Sequence, residues 1–150
     1  MLVYRLPRTP STPRITLWRK LRRLGVAQIM DGAVALPASA DTREQLEWLA
    51  EDVVAADGEA TIWLSEPATA AQHRVLVASM TERIDEEYQA ITAEARSAVA
   101  SPARERSRTL ARLRRELRRV GARQYFPTPQ AKGAHDAVEA LAKAAAEAAA

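Results

Sequence analysis

The chain has 150 residues, of which 47% are hydrophobic and 27% are charged, and its formal net charge is +3. It contains no cysteine, which excludes disulfides and thiolate nucleophiles. No apolar run approaches the ~20 residues that span a bilayer, so we expect a soluble, cytoplasmic protein that has no membrane partner.

The charge is strongly segregated along the chain. It is +6 over residues 1–40, −9 over residues 41–97 and +7 over residues 98–123. Two basic blocks therefore bracket an acidic one. Such blocks either bind an external polyanion or neutralise each other when they pack together.

The first basic block contains a strand and an amphipathic helix. Residues 2–6 are a short apolar strand, and a helix is predicted from Thr12, with Leu17, Leu21 and Leu24 on its core side. Gly25 follows at the place where a left-handed C-cap costs least. This half of the block therefore predicts strand followed by helix.

A hairpin, a second helix and a fourth strand come next. Asp31-Gly32 separates two short apolar runs and is a pair favoured in type I′ turns. A helix capped by Asp41 or Thr42 is expected to run to residue 57, and residues 60–64 read as a strand. The order β-α-β-β-α-β predicts an α+β ferredoxin-like plait.

From residue 67 the pattern is helical. A long helix to about residue 97 is broken at Ser101-Pro102, and a second helix follows, so we expect an antiparallel helical hairpin as a C-terminal extension. A last segment, residues 130–150, ends in an alanine-rich stretch that we expect to fray. The predicted domains are a plait over residues 1–66 and a helical extension over 67–150 that packs on it as one structural unit.

The second basic block has its arginines opposite its apolar side. If Leu110, Leu113 and Leu117 face the core, five arginines lie on the far side of the helix. They are Arg104, Arg108, Arg112, Arg115 and Arg119. Hairpin geometry leaves Arg106 and Arg114 to pair with Glu87 and Glu94, so the five are candidates for phosphate contacts. The alternative is a merely solvated face.

The first helix carries a similar set of cations. They are Arg14, Arg19, Lys20, Arg22 and Arg23, and contact with DNA or an oxyanion competes with simple solvation.

Trp48 points away from its helix's apolar side, among Glu44, Glu47 and Glu51. We expect it to be exposed on the monomer and to anchor a dimer interface, and the alternative is that a C-terminal helix covers it. Trp18 and Trp63 are expected in the core.

Nothing in the sequence makes a positive case for an enzyme. There is no nucleophile with a plausible base, no P-loop and no GxGxxG. His73 and His135 are isolated from other ligand types, so no metal site is predicted.

Four segments in this order carry a family resemblance. They read LVYRLPRTPSTPR, LWRKLRRLGVAQIMDGAVALP, EQLEWLAEDVVAADGEATIWL and LARLRRELRRVGARQYFPTP. Together they resemble the N-terminal domain of the ChrB family of chromate-resistance regulators, over roughly residues 1–145. The resemblance implies a cytoplasmic, chromate-responsive transcriptional regulator of an efflux operon. It also implies binding to promoter DNA as a homodimer.

Many family members continue into a C-terminal domain, so the resemblance implies that any sensing or chemistry of that domain is either lost here or supplied by a separate chain. No cofactor is implied, although chromate or sulfate is a possible ligand of the guanidinium clusters. Two alternatives stay open: a metal-dependent nuclease of similar fold, and a protein interaction module that does not bind nucleic acid. The nuclease reading is weakened because such plait nucleases carry an acidic ligand at the end of the first strand, where this chain has Arg5-Leu6-Pro7-Arg8.

Overall fold

The computed structural model describes residues 1–147 and contains a small sheet of four strands and five helices. In chain order the elements are β1 (Leu2–Arg5), α1 (Thr12–Leu24), β2 (Ala27–Met30), β3 (Ala33–Ala35), α2 (Ala40–Ala55), β4 (Glu59–Ile62), α3 (Ala70–Ala98), α4 (Ala103–Gly121) and α5 (Pro129–Glu147). The expectation that the alanine-rich end frays concerns residues up to 150, the last three of which lie outside the described range.

The chain divides into two compact units, Met1–Met80 and Thr81–Ala150. Because this division falls within α3, the predicted boundary after residue 66 stays a prediction. We call the two parts the first unit and the second unit, and each is described by itself.

The first unit is built on an antiparallel sheet with strand order β2-β3-β1-β4. In β1, Leu2 lies opposite Val34 of β3 and Ile62 of β4. All three belong to one apolar cluster, in which α1 contributes Leu17 and Leu21 and α2 contributes residues such as Leu49. The leucine spacing of the sequence therefore identified the core sides of both helices.

Both helices of the first unit have ends that the sequence encodes. Gly25 ends α1 in the left-handed conformation, with φ of 71°, as predicted. The prediction that Asp41 or Thr42 caps α2 was wrong. Ser39 is the N-cap, and its side chain and that of Thr42 form a reciprocal capping box, so the helix begins at Ala40.

The β2–β3 turn differs from the type I′ prediction. That type needs positive φ at both central residues, but among the described non-glycine residues only Asp57 has one. Gly32 alone supplies it in this turn, with φ of 76°. The pairing of β2 with β3 also shifts register between Gln28 and Met30, which is a β-bulge next to this turn.

The second unit is a helical core formed by the later part of α3 with α4 and α5. Tyr88 of α3, Leu113 of α4 and Leu141 of α5 are its largest fully buried side chains. The predicted α4 seam is confirmed, because Leu110, Leu113, Leu117 and Val120 are all buried.

Candidate nucleic-acid interface

The exposed side of α4 carries four arginines that have no partner among residues 1–147. They are Arg104, Arg108, Arg115 and Arg119, and all four are exposed. We call this set the α4 stripe. Since an α-helix rises about 1.5 Å per residue, the stripe extends over about 22 Å. It lies opposite the buried seam, as the helical spacing predicts.

Arg112, the fifth predicted member, does not belong to the stripe. It pairs with Glu94 of α3, and its other terminal nitrogen donates to Glu116 Oε1 over 2.8 Å. The expectation that it points away from the acidic helix was wrong. Of the five positions, Arg112 lies closest to the apolar seam on the helical wheel, and the length of its side chain lets the guanidinium reach Glu94 of α3.

Arg106 and Arg114 were expected to pair with Glu87 and Glu94, and this was also wrong. Arg106 Nη1 donates to the carbonyl of Ala144 over 2.7 Å. That carbonyl lies in the last turn of α5, where backbone acceptors lack intrahelical donors. Arg114 is exposed and has no ion pair within the described chain, so it adds a cation beside the stripe.

Glu87 is instead held by Arg123, which follows α4. The guanidinium donates to Oε1 over 3.0 Å and to Oε2 over 2.6 Å, and the Arg123 side chain is only 14% exposed. A fork of this kind is the strongest geometry for a guanidinium and a carboxylate. It fastens the end of α4 to α3, with the stripe on the outer side.

Tyr88 makes a second tie at the same end of the second unit. Its hydroxyl donates to Gln124 Oε1 over 2.7 Å. Burial raises the pKa of Tyr88 above its usual value, the positive charge of Arg123 lowers it, and Glu87 raises it. The phenol therefore stays protonated and keeps its hydrogen bond well into the alkaline range.

The predicted cations of α1 lie in the first unit. Arg14, Arg19, Arg22 and Arg23 are exposed, and the Arg22 guanidinium lies 4.8 Å from the centre of the Trp18 ring. Lys20 differs from them, because its ammonium pairs with Asp52 of α2 over 2.5 Å. The structure thus gives two basic surfaces, one in each unit.

The tryptophans follow the prediction only in part. Trp48 is 59% exposed, as expected, whereas Trp18 is 54% and Trp63 55% exposed. The core assignment of Trp18 and Trp63 was wrong. Trp18 lies beside the leucine side of α1 rather than on it. Trp63 directly follows Ile62, the last residue of β4, and its side chain is exposed rather than in the core cluster.

A groove of about 390 Å³ lies between α1 and α2. Its walls are mostly apolar, and its only cation is Lys20, which Asp52 already neutralises. The groove therefore offers no unpaired cation to a dianion such as chromate.

Over residues 1–147 no three acidic or histidine side chains cluster closely enough to hold a metal. Within the same residues, no helix combines the length and apolar character of a bilayer span.

The comparisons with known proteins identify the family. The model described as "Protein ChrB, N-terminal" matches residues 14–105, more than half of the chain. This chain belongs to the ChrB N-terminal family. Protein ChrB of Cupriavidus metallidurans is 34% identical over 87 residues, which cover 55% of this chain and 26% of that protein. No solved structure is significantly similar to the chain.

The ChrB match includes α1 from Arg14 onward and all of α2, but it ends at Glu105. Of the α4 stripe, only Arg104 lies inside it. Any role for the stripe must therefore be argued from its own geometry. Sequence reasoning missed Arg118, an exposed arginine without a partner among the described residues, because it lies between the seam and the predicted stripe on the helical wheel.

Proposed function

We propose that this chain is a DNA-binding module of a chromate-resistance regulator, and that the α4 stripe contacts the phosphate backbone. ChrB family membership supports the link to chromate resistance. The observation that carries the site is the set of four exposed arginines without partners in the described chain. We further propose that promoter DNA is the target and that no catalysis is involved.

The first unit supports a ferredoxin-like plait. Its element order is β-α-β-β-α-β and its antiparallel strand order is β2-β3-β1-β4. In this reading the plait is the scaffold of the module, and the nucleic-acid contact lies on the helices of the second unit.

The charge balance of the second unit favours a polyanion. Residues 81–150 contain 13 basic and 10 acidic residues, which makes this unit the source of the whole net charge of +3. B-DNA carries one negative charge per about 1.7 Å of axis, so the stripe spans about a dozen phosphates. Guanidinium forks bind phosphate oxygens well, and such contacts position a protein on DNA without reading its sequence.

The test replaces Arg104, Arg108, Arg115 and Arg119 with glutamine. Binding of a neighbouring promoter duplex is measured by gel shift and anisotropy at several salt concentrations. Loss of four phosphate contacts should flatten the slope of log K against log salt by about three to four. A matched variant, with Arg8, Arg74, Arg96 and Lys143 changed to glutamine, removes the same charge from other exposed positions and should leave most of the slope in place.

An unchanged slope in the stripe variant would remove the stripe from the site. Failure of the unaltered protein to bind any duplex at low salt would overturn the DNA-binding proposal itself. Cleavage of DNA in the presence of a divalent metal, lost on changing Asp31 or Asp41, would favour the nuclease alternative instead.

The same assay tests the response to chromate. We propose that chromate weakens DNA binding by occupying guanidinium groups of the stripe. Sulfate is the control, because it has the same charge and a similar shape. If the stripe senses chromate, chromate should release DNA at a lower concentration than sulfate does at the same ionic strength. Equal effects of the two dianions would leave only unselective competition for charge and would contradict a sensing role for this chain.

A further inference from the structure

The outer surface of α1 joins positive charge to exposed apolar groups. The helix has five cations and no acidic residue. Ile15 is 46% exposed and Trp18 54% exposed, and Arg22 covers one face of the indole. A surface made only for phosphate would not need two large apolar side chains, so this combination is more typical of a protein interface.

The outer surface of α2 is its counterpart in charge. The helix has five acidic residues and one arginine, and Arg43 is already paired with Glu47. Trp48 and Val54 are each 59% exposed. Thus α1 and α2 each expose one tryptophan and one large aliphatic residue. The charged residues around them are basic on α1 and mainly acidic on α2.

The two helices lie side by side on the same sheet. Leu17 of α1 and Leu49 of α2 belong to one core cluster, and the ion pair between Lys20 and Asp52 joins the helices directly. The outer surface of this helical layer therefore has a positive half and a negative half. Residues 1–80 contain nine basic and nine acidic residues, so the first units of two copies would meet without net repulsion between them.

We propose that two copies of this chain associate through these outer surfaces, with α1 of each copy lying against α2 of the other. A two-fold axis between the helices exchanges them, which brings opposite charges together twice and makes the contact closed and self-complementary. Trp18 and Trp48 supply exposed apolar area to the contact, and tryptophan and arginine are the residues that most often dominate binding energy. DNA is disfavoured here, because the acidic α2 would repel it beside α1.

This inference goes beyond the proposed function, because it uses neither the α4 stripe nor nucleic acid. It assigns Arg19, Arg22 and Arg23, which the sequence offers equally as DNA contacts, to a second copy of the chain. It also gives the exposed Trp48 a defined counterpart.

The experiment uses charge reversal with a mixing step. One variant carries Arg19→Glu and Arg23→Glu on α1, and the other carries Glu44→Arg and Glu51→Arg on α2, all four positions being exposed. Analytical ultracentrifugation of the full chain should give dimers for the unaltered protein. Each variant alone should dissociate, with the dimer Kd raised at least about tenfold, because like charges then meet at both contacts.

Mixing the two variants decides the geometry. In the mixed dimer, acidic α1 meets basic α2 at one contact and the original pair meets at the other, so heterodimers should return. A variant that merely failed to fold could not be rescued in this way. Trp48→Ala should raise the dimer Kd about thirtyfold, the effect expected of a hot-spot residue, while Arg96→Glu on α3 serves as a control that should leave the Kd unchanged.

Several outcomes would overturn the proposal. One is a chain that stays monomeric at all concentrations, and another is dissociation of both variants without rescue on mixing. A third is an α1 variant that dimerises normally but binds duplex DNA more weakly, which would assign α1 to nucleic acid.

Discussion

The two units place their cations in opposite electrostatic surroundings. In the first unit, the positive helix α1 has an acidic neighbour, α2, on the same layer, and the unit has equal numbers of basic and acidic residues. In the second unit, Arg112 and Arg123 take the carboxylates of Glu94 and Glu87, which leaves the α4 stripe without a partner among the described residues. Similar arginine-rich helices are therefore suited to different contacts, and the neighbouring helix decides which.

The units also have separate apolar cores, and breaking each core gives the largest expected effect. Leu113→Ala in the second unit and Leu49→Ala in the first should each lower the free energy of unfolding by about 2–5 kcal/mol, because both side chains are buried. Hydrogen exchange should locate the loss of protection in residues 81–147 for the first variant and in residues 1–80 for the second. Equal loss in both units for both variants would contradict two separate cores.

A glycine in each unit tests how tightly the backbone is constrained. At Gly32 an added Cβ would lie 2.5 Å from the carbonyl oxygen of Tyr4, at a φ of 76°. Gly32→Ala should therefore cost at least about 2 kcal/mol of stability, measured by chemical denaturation. The control is Gly133→Ala in α5, where no described atom beyond the adjacent residues and the helix's own backbone lies within 4 Å of the added Cβ. It should stabilise the chain by up to about 1 kcal/mol, and a loss there would contradict the open packing at that position.

Two arginines of α4 allow a comparison between a cation held in ion pairs, Arg112, and one without a partner among the described residues, Arg108. Arg112→Gln removes two partly exposed ion pairs and should cost about 0.5–1 kcal/mol of stability, with little change in the salt dependence of DNA binding. Arg108→Gln should leave stability within about 0.5 kcal/mol and flatten the salt slope by about one. Thermal unfolding and DNA titration of the same two preparations measure both effects, and the reverse pattern would contradict the assignment.

The smallest expected effect is a pH dependence in the second unit. Because burial raises the pKa of Tyr88 in the folded chain, its contribution to stability is complete below the unfolded pKa of about 10 and is lost as pH rises through the folded value. Tyr88→Phe should therefore flatten the fall in unfolding free energy above about pH 10. An alkaline profile that is identical in both proteins would contradict this role.

The apolar positions were the most predictable part of the molecule. Leucine spacing identified the core sides of α1, α2 and α4, and Gly25 marked the end of α1, because helical period and left-handed capping are local properties. The type of the turn at Asp31-Gly32 was less predictable, because it depends on the pairing register of β2 and β3 and not only on the two turn residues. Trp18 was misassigned because its size suggested burial, whereas its helical position lies beside the leucines.

The candidate site was harder to predict than the fold. Four of five stripe arginines were identified from periodicity alone, but Arg112 was not distinguished from them, because its partner lies on another helix and depends on how the helices pack. The contact of Arg106 with Ala144 could not be predicted, because it requires the position of α5. The choice of partner by a long cationic side chain is a tertiary property.

The positions of the indoles have a practical consequence for spectroscopy. All three tryptophans lie in the first unit and all are more than half exposed, so intrinsic fluorescence excited at the red edge of indole absorption reports on that unit alone. In the single chain its emission should be that of water-exposed indole. Removal of water from Trp18 and Trp48 would shift the spectrum to the blue, whereas a ligand confined to α4 would leave it unchanged. The molecule thus carries an internal reporter that distinguishes events in its two parts without any label.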